Sequence, residues 1–137
     1  MAELTAGIVC DFAQVRERLL FVSSGAITRV VHPTLPASLG VMLAMVVEVP
    51  HDEHDQAHDL RVAVYRNDTA QRLFEWVAGF QITGYEAHPG KGLYLPFVAA
   101  EMGATPIPIH GGYDIRMSVD GNDGPLLTVY AVDKPPG

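Results

Sequence analysis

Hydrophobicity with a period of two runs through most of this chain, and a helical period is almost absent. Leu60, Val62 and Val64 alternate with Arg61, Ala63 and Tyr65. Phe74, Trp76, Ala78, Phe80 and Ile82 fall on one side of Arg72 to Thr83. Tyr113, Ile115, Met117 and Val119 alternate with Asp114, Arg116, Ser118 and Asp120. Side chains of a strand point to opposite faces in turn, so each segment predicts a strand with one buried face. Leu4, Ala6, Ile8, Cys10 and Phe12 predict another buried face near the start of the chain. Gly40 to Val49 is almost wholly apolar, as in a central strand covered on both sides.

Turn signals separate these runs. "QVRER" at 14–18 ends the first strand, and "LLFVS" starts the next rather than closing a helix over Ala13 to Val22. His32 to Leu39 is a connection with two prolines, "RNDTAQ" turns the chain, and "GYEAHPGKG" at 84–92 is a loop. Pro106 and Pro108 each lack an N–H donor, so "EMGATPIPIHGG" cannot continue a strand. The sum is eight or nine short strands over residues 1–137, with 133–137 as a tail. Without a βαβ rhythm, the expected fold is all-β: a single-domain antiparallel two-sheet β-sandwich. A closed barrel satisfies the same pattern.

Composition narrows the function classes. The apolar fraction of 48% in 137 residues is enough for a core without metal or disulfide staples. It also leaves apolar surface for a second subunit, so a protein partner or a homodimer is expected. The net charge is −7, from 16 acids and 9 bases, with no basic cluster, so neither nucleic acid nor an anionic membrane is an expected partner. One cysteine, Cys10, cannot form an intrachain disulfide. The opening "MAELTAGIVC" has no basic stretch before a long apolar one, and Val41 to Val47 is too short to span a bilayer. The expected location is cytoplasmic.

Residues 51–59, "HDEHDQAHD", gather three histidines and four carboxylates. On a helix His51, His54 and His58 would share one face, and "HDQAH" echoes the H-E-x-x-H zinc signature with Asp55 in place of the general base. That reading makes the chain a zinc-dependent hydrolase or a metal-binding protein. Against it, Asp is one methylene shorter than Glu, and only Ala57 and Leu60 could anchor such a helix. The preferred reading is a solvated connection between two strands, with a pH-sensitive loop as its variant.

Other candidates are weaker. Cys10 lies within an apolar strand and reads as an inert thiol rather than a nucleophile. No G-x-S-x-G is present to partner "HGG" at 110–112, and "GKG" at 90–92 is neither a P-loop nor a dinucleotide turn. "DGNDG" at 120–124 places Ala131 where a calcium loop needs its bidentate Glu, so it predicts a hairpin turn. Trp76 with Phe74 and Phe80 reads as core, with a small-ligand surface as the alternative.

"CDFAQVRERLLFVSSGAITRV" at 10–30 resembles the opening of a family of small bacterial proteins known only as a domain of unknown function. Asp11, Val15, Leu20, Val22 and Gly25 occupy the family's positions. "GGYDIRMSVDG" at 111–121 resembles the penultimate strand of many immunoglobulin-like sandwiches. The resemblance implies a β-sandwich with no assigned activity and no catalytic motif to carry across. The combined expectation is a non-catalytic interaction or scaffold domain.

Overall fold

The computed structural model describes residues 1–82 and 92–135. The strands are β1 (Glu3–Arg16), β2 (Leu19–Gly25), β3 (Arg29–Val31), β4 (Ala37–Ser38), β5 (Met42–Val49) and β6 (Ala57–Arg66). They continue with β7 (Arg72–Gln81), β8 (Leu93–Ala99), β9 (Pro106–Ile107), β10 (Gly111–Val119), β11 (Asn122–Asp123) and β12 (Leu127–Val132). The expected loop at 84–92 falls, apart from Gly92, outside the described residues, and so do the last two positions of the tail. One sheet runs β2-β1-β5-β8; the other runs β3-β12-β10-β6-β7, with β11 paired to β10; β4 and β9 form a short clip. The fold is an all-β sandwich. Its pairings are antiparallel among the described residues except for β3 with β12, which is parallel.

The segments with clean alternation behave as their chemistry dictates. Leu60, Val62 and Val64 on β6 and Tyr113, Ile115, Met117 and Val119 on β10 are all buried. They share one cluster with Leu43, Met45, Val47 and Val49 of β5 from the opposite sheet. Each such side chain contributes about 1.5–3 kcal/mol by leaving water. The short hairpin β10–β11 turns through Asp120 and Gly121, both at positive φ (50° and 80°), as a two-residue type I′ loop requires.

β1 departs from the expected pattern. A bulge between Leu4 and Ala6 inserts one residue into the pairing with β5. Leu4 packs on the main core, Ala6 is exposed, and Val9 is buried in the core. Gly7 also faces inward, where a Cβ would meet Met117 Sδ at 2.6 Å. Because side chains alternate, one extra residue moves every later side chain to the other face. Ile8 and Cys10 therefore face away from the main core, and Phe12 is 48% exposed.

The outward face of the first sheet is not left bare. Cys10, Ala13 and Ala44 form a second buried cluster, joined by Ile8, Leu20, Met42 and Val98. The far half of the β1–β2 hairpin, which turns through Glu17 and Arg18, thus lies over β5 and β8. This explains why β5 is apolar on both faces at its Met42–Ala44 end.

Tyr113, the third residue of β10, is 1% exposed, and its hydroxyl donates to the Ile109 carbonyl at 2.6 Å. Tyr113→Phe will remove that bond and leave the carbonyl unsatisfied. The expected loss is about 1–2 kcal/mol in urea denaturation with no change in the slope.

Candidate functional site

The histidine-rich segment begins as one 3-10 turn, His51–Glu53, preceded by Pro50 in extended conformation. Asp55 then takes a positive φ of 69°, and β6 starts at Ala57. The three histidines therefore sit on a turn and a strand rather than on one helix face. The His51 and His54 rings meet edge-on with centroids 5.2 Å apart. His54 Nε2 lies 3.4 Å from the Val49 carbonyl.

His58 occupies the inward face of β6, two residues before Leu60, and is 4% exposed. Its Nδ1 is 2.6 Å from Asp120 Oδ2, and its Nε2 is 3.0 Å from the Glu53 carbonyl oxygen. A carbonyl and a carboxylate both accept, so these partners favour a proton on each ring nitrogen, the imidazolium form. One face of the ring stacks on Phe80 at 5.1 Å, and Phe80 in turn packs on Phe97. Burial opposes the charge. The hydrogen bonds to Asp120 and to the Glu53 carbonyl, with the attraction of both carboxylates, outweigh it and raise the His58 pKa. Burial likewise opposes ionisation of Asp120, but its bonds to His58 and to the Asp59 N–H win and lower its pKa.

The network extends to the first residues of the chain. Glu53 Oε2 pairs with the Met1 ammonium at 2.6 Å, and Glu53 Oε1 accepts from the Ala2 N–H at 3.2 Å. Asn122 Nδ2 donates to the Ala2 carbonyl at 3.3 Å. His58 thus ties the start of β6, the 51–53 turn and the β10–β11 turn together, and Glu53 extends that tie to the residues before β1.

Chemically, this arrangement is a pin. Glu53, His58 and Asp120 each bring one ligand-type atom within 4.8 Å of the others, which His51, His54 and His58 together do not among the described residues. While the ring is protonated, neither nitrogen has a lone pair to offer a metal or a substrate proton, so a metal would have to compete with that proton. A metal bound by His58 would displace the proton of one ring nitrogen and the hydrogen bond made there, while the other nitrogen could keep its own. Glu53 and Asp120 escaped the sequence reading because their partner is distant or backbone-mediated. His58 was detectable, since the alternation of Leu60, Val62 and Val64 extends back to it.

The remaining candidates are placed as follows. Cys10 is fully buried, its Sγ 3.7 Å from the Met42 carbonyl, and burial, with the nearby Asp11 charge, pushes its thiol pKa up. A raised pKa keeps a thiol protonated and poorly nucleophilic. Trp76 packs against the main core from β7. Among the described residues, no helix is long and apolar enough to cross a membrane.

Residues 5–130 match the family of unknown function DUF6941. The chain belongs to this family. The matched range spans strands of both sheets and includes Glu53, His58 and Asp120 of this chain. No curated protein matches the chain.

Proposed function

We propose that this DUF6941 chain is a non-catalytic protein-interaction domain that self-associates through its β1–β2 hairpin. The observation that carries this is the hairpin's outward face. Phe12, Leu19 and Phe21 are 48%, 60% and 48% exposed. The register places Gln14 opposite Phe21, Arg16 opposite Leu19 and Phe12 opposite Ser23, so the three share one face. On the other face Ala13 and Leu20 pack against β5 and β8, while Val15 and Val22 are 41% and 40% exposed.

A second copy is the occupant that fits. β2 ends its sheet, so its outer edge presents unpaired N–H and C=O groups. Two of these hairpin faces packed against each other about a twofold axis would cover both at once. The cytoplasmic reading belongs to the same proposal, and the buried free thiol of Cys10 is compatible with it.

Light scattering at high micromolar concentration tests this. The expected mass is that of two chains, falling to one chain in Phe12→Ser/Phe21→Ser with an unchanged far-ultraviolet spectrum. A monomeric wild-type chain removes the self-association.

A further inference from the structure

On one side of the sandwich, two strands lose their neighbours at the same place. β2 pairs with β1 only along Cys10–Arg16, so Thr5–Val9 have β5 on one side and no strand on the other. β12 has β10 along Leu127–Ala131, but β3 joins it only from Tyr130 onward. Between these two open edges lies a groove of about 740 Å³, walled by residues 5–9, 26–28 and 125–128.

Each wall is a run of consecutive residues. A groove that met the face of a strand would touch every second residue, so this one runs along strand edges. None of the lining side chains is charged, and Ile8, Ile27, Leu126 and Leu127 make it apolar. Leu126 is 60% exposed at its mouth.

The backbone directions can be read from the bonds at the ends of the groove. The Ile27 N–H donates to the Val9 carbonyl at 3.0 Å, so Val9 turns its peptide groups away from β5. In an antiparallel pair that orientation repeats at every second residue, so Gly7 turns its N–H and C=O the same way. The Tyr130 N–H donates to the Thr28 carbonyl at 2.9 Å, so Thr128 likewise points its peptide groups toward the side that β3 leaves open. Across an uncharged apolar groove, the only charges offered are these backbone dipoles.

That combination selects the occupant. A hydrocarbon chain would fill the apolar walls but strip water from the exposed peptide groups and give nothing back. A charged headgroup or ion would find no opposite charge. An extended peptide complements both features, because its backbone pairs with the open edge and alternate side chains enter the groove. It would also continue the sheet position that β2 holds beside Cys10–Arg16.

We propose that this groove is a strand-acceptor site, in which an uncharged extended segment of a partner protein pairs with the β1 edge around Gly7, up to the Val9 carbonyl that Ile27 already holds. The segment is about five residues long, roughly 17 Å at strand rise. The inference goes beyond self-association through the hairpin and holds equally for a monomeric chain.

The test uses isotope-labelled full-length chain and three probes. These are a capped hexapeptide of alternating Thr and Val, the same peptide N-methylated at every second residue, and decanoate. The expected result is saturable shifts of the Gly7 and Thr128 amides with the first peptide. Hydrogen exchange of the Gly7 amide should slow at least tenfold, and the methylated peptide should bind at least tenfold more weakly. Leu126→Lys and Ala6→Lys, both at exposed positions, should each weaken binding tenfold with an unchanged thermal midpoint. Three results overturn the proposal: no shift at millimolar peptide, equal binding of the methylated peptide, or preferential binding of decanoate. A fourth is the same amides shifting with protein concentration alone, which would make a second copy the occupant. Light scattering on the same samples reports the hairpin dimer separately.

Discussion

Replacing His58 with Leu will cost the fold about 2–4 kcal/mol, read as a lower urea midpoint at unchanged slope. The volume is roughly kept and the Phe80 contact can survive, so packing is not the main loss. The loss is electrostatic and directional. Asp120 would keep its bond from the Asp59 N–H but lose its buried cation, and the Glu53 carbonyl would lose its donor. Asp120 retains some water access, with its side chain 29% exposed, which keeps the cost below that of a fully buried ion.

The same pin gives the stability a defined pH dependence. The His58 pKa is raised above its ordinary value near 6.5, so the folded state holds this proton more tightly than the unfolded chain. Its contribution is complete below that value and disappears as pH rises through the raised pKa. Asp120 is lowered, so its contribution is complete above the ordinary carboxylate range and is lost as pH falls through the lowered pKa. Wild-type stability should therefore fall as pH rises above the ordinary histidine value and through the raised His58 pKa, while His58→Leu should lose that slope. Asp120→Asn keeps an acceptor for Nδ1 but removes the charge that offsets burial. His58 should then titrate at lower pH, measured from its ring proton shifts, and an unmoved titration would sink the ion-pair account.

How far the fold could be read from the chain depends on whether the two faces of a strand differ chemically. On β6 and β10 the inward residues are apolar apart from His58, and the outward ones are mostly charged or polar, so period and face were both legible. On β1 both faces are apolar, Gly7 and Val9 on one and Ile8 and Cys10 on the other, so the period was visible and the face was not. The bulge that decides between them has no residue signature. The "QVRER" and "DGNDG" turns were legible from local chemistry, whereas the Asp120 contact with His58 spans 62 residues and leaves no trace in spacing. The acceptor groove was hidden for a related reason. It exists because β2 and β3 pair over part of their neighbours' lengths, and strand ends are set by packing rather than by pattern.

The face reversal on β1 yields the sharpest contrast available from two single substitutions. Simple alternation puts Phe12 inside and Val9 outside, while the structure has Val9 at 3% exposure and Phe12 at 48%. Val9→Asp should cost about 4 kcal/mol or more, because it removes a core side chain and strands a carboxylate with no partner. Against a total stability of about 5–15 kcal/mol, much of the chain would then unfold or enter inclusion bodies. Phe12→Asp should stay within about 1 kcal/mol of wild type, since the new charge remains in water. Its effect should fall on association instead, shifting the light-scattering mass toward one chain. Were β1 to pair with β5 without the bulge, the two variants would exchange behaviour, with Phe12→Asp failing to fold and Val9→Asp tolerated. Parallel urea titrations of both proteins separate these outcomes, because a reversed register moves every side chain from Ala6 to Phe12 to the other face.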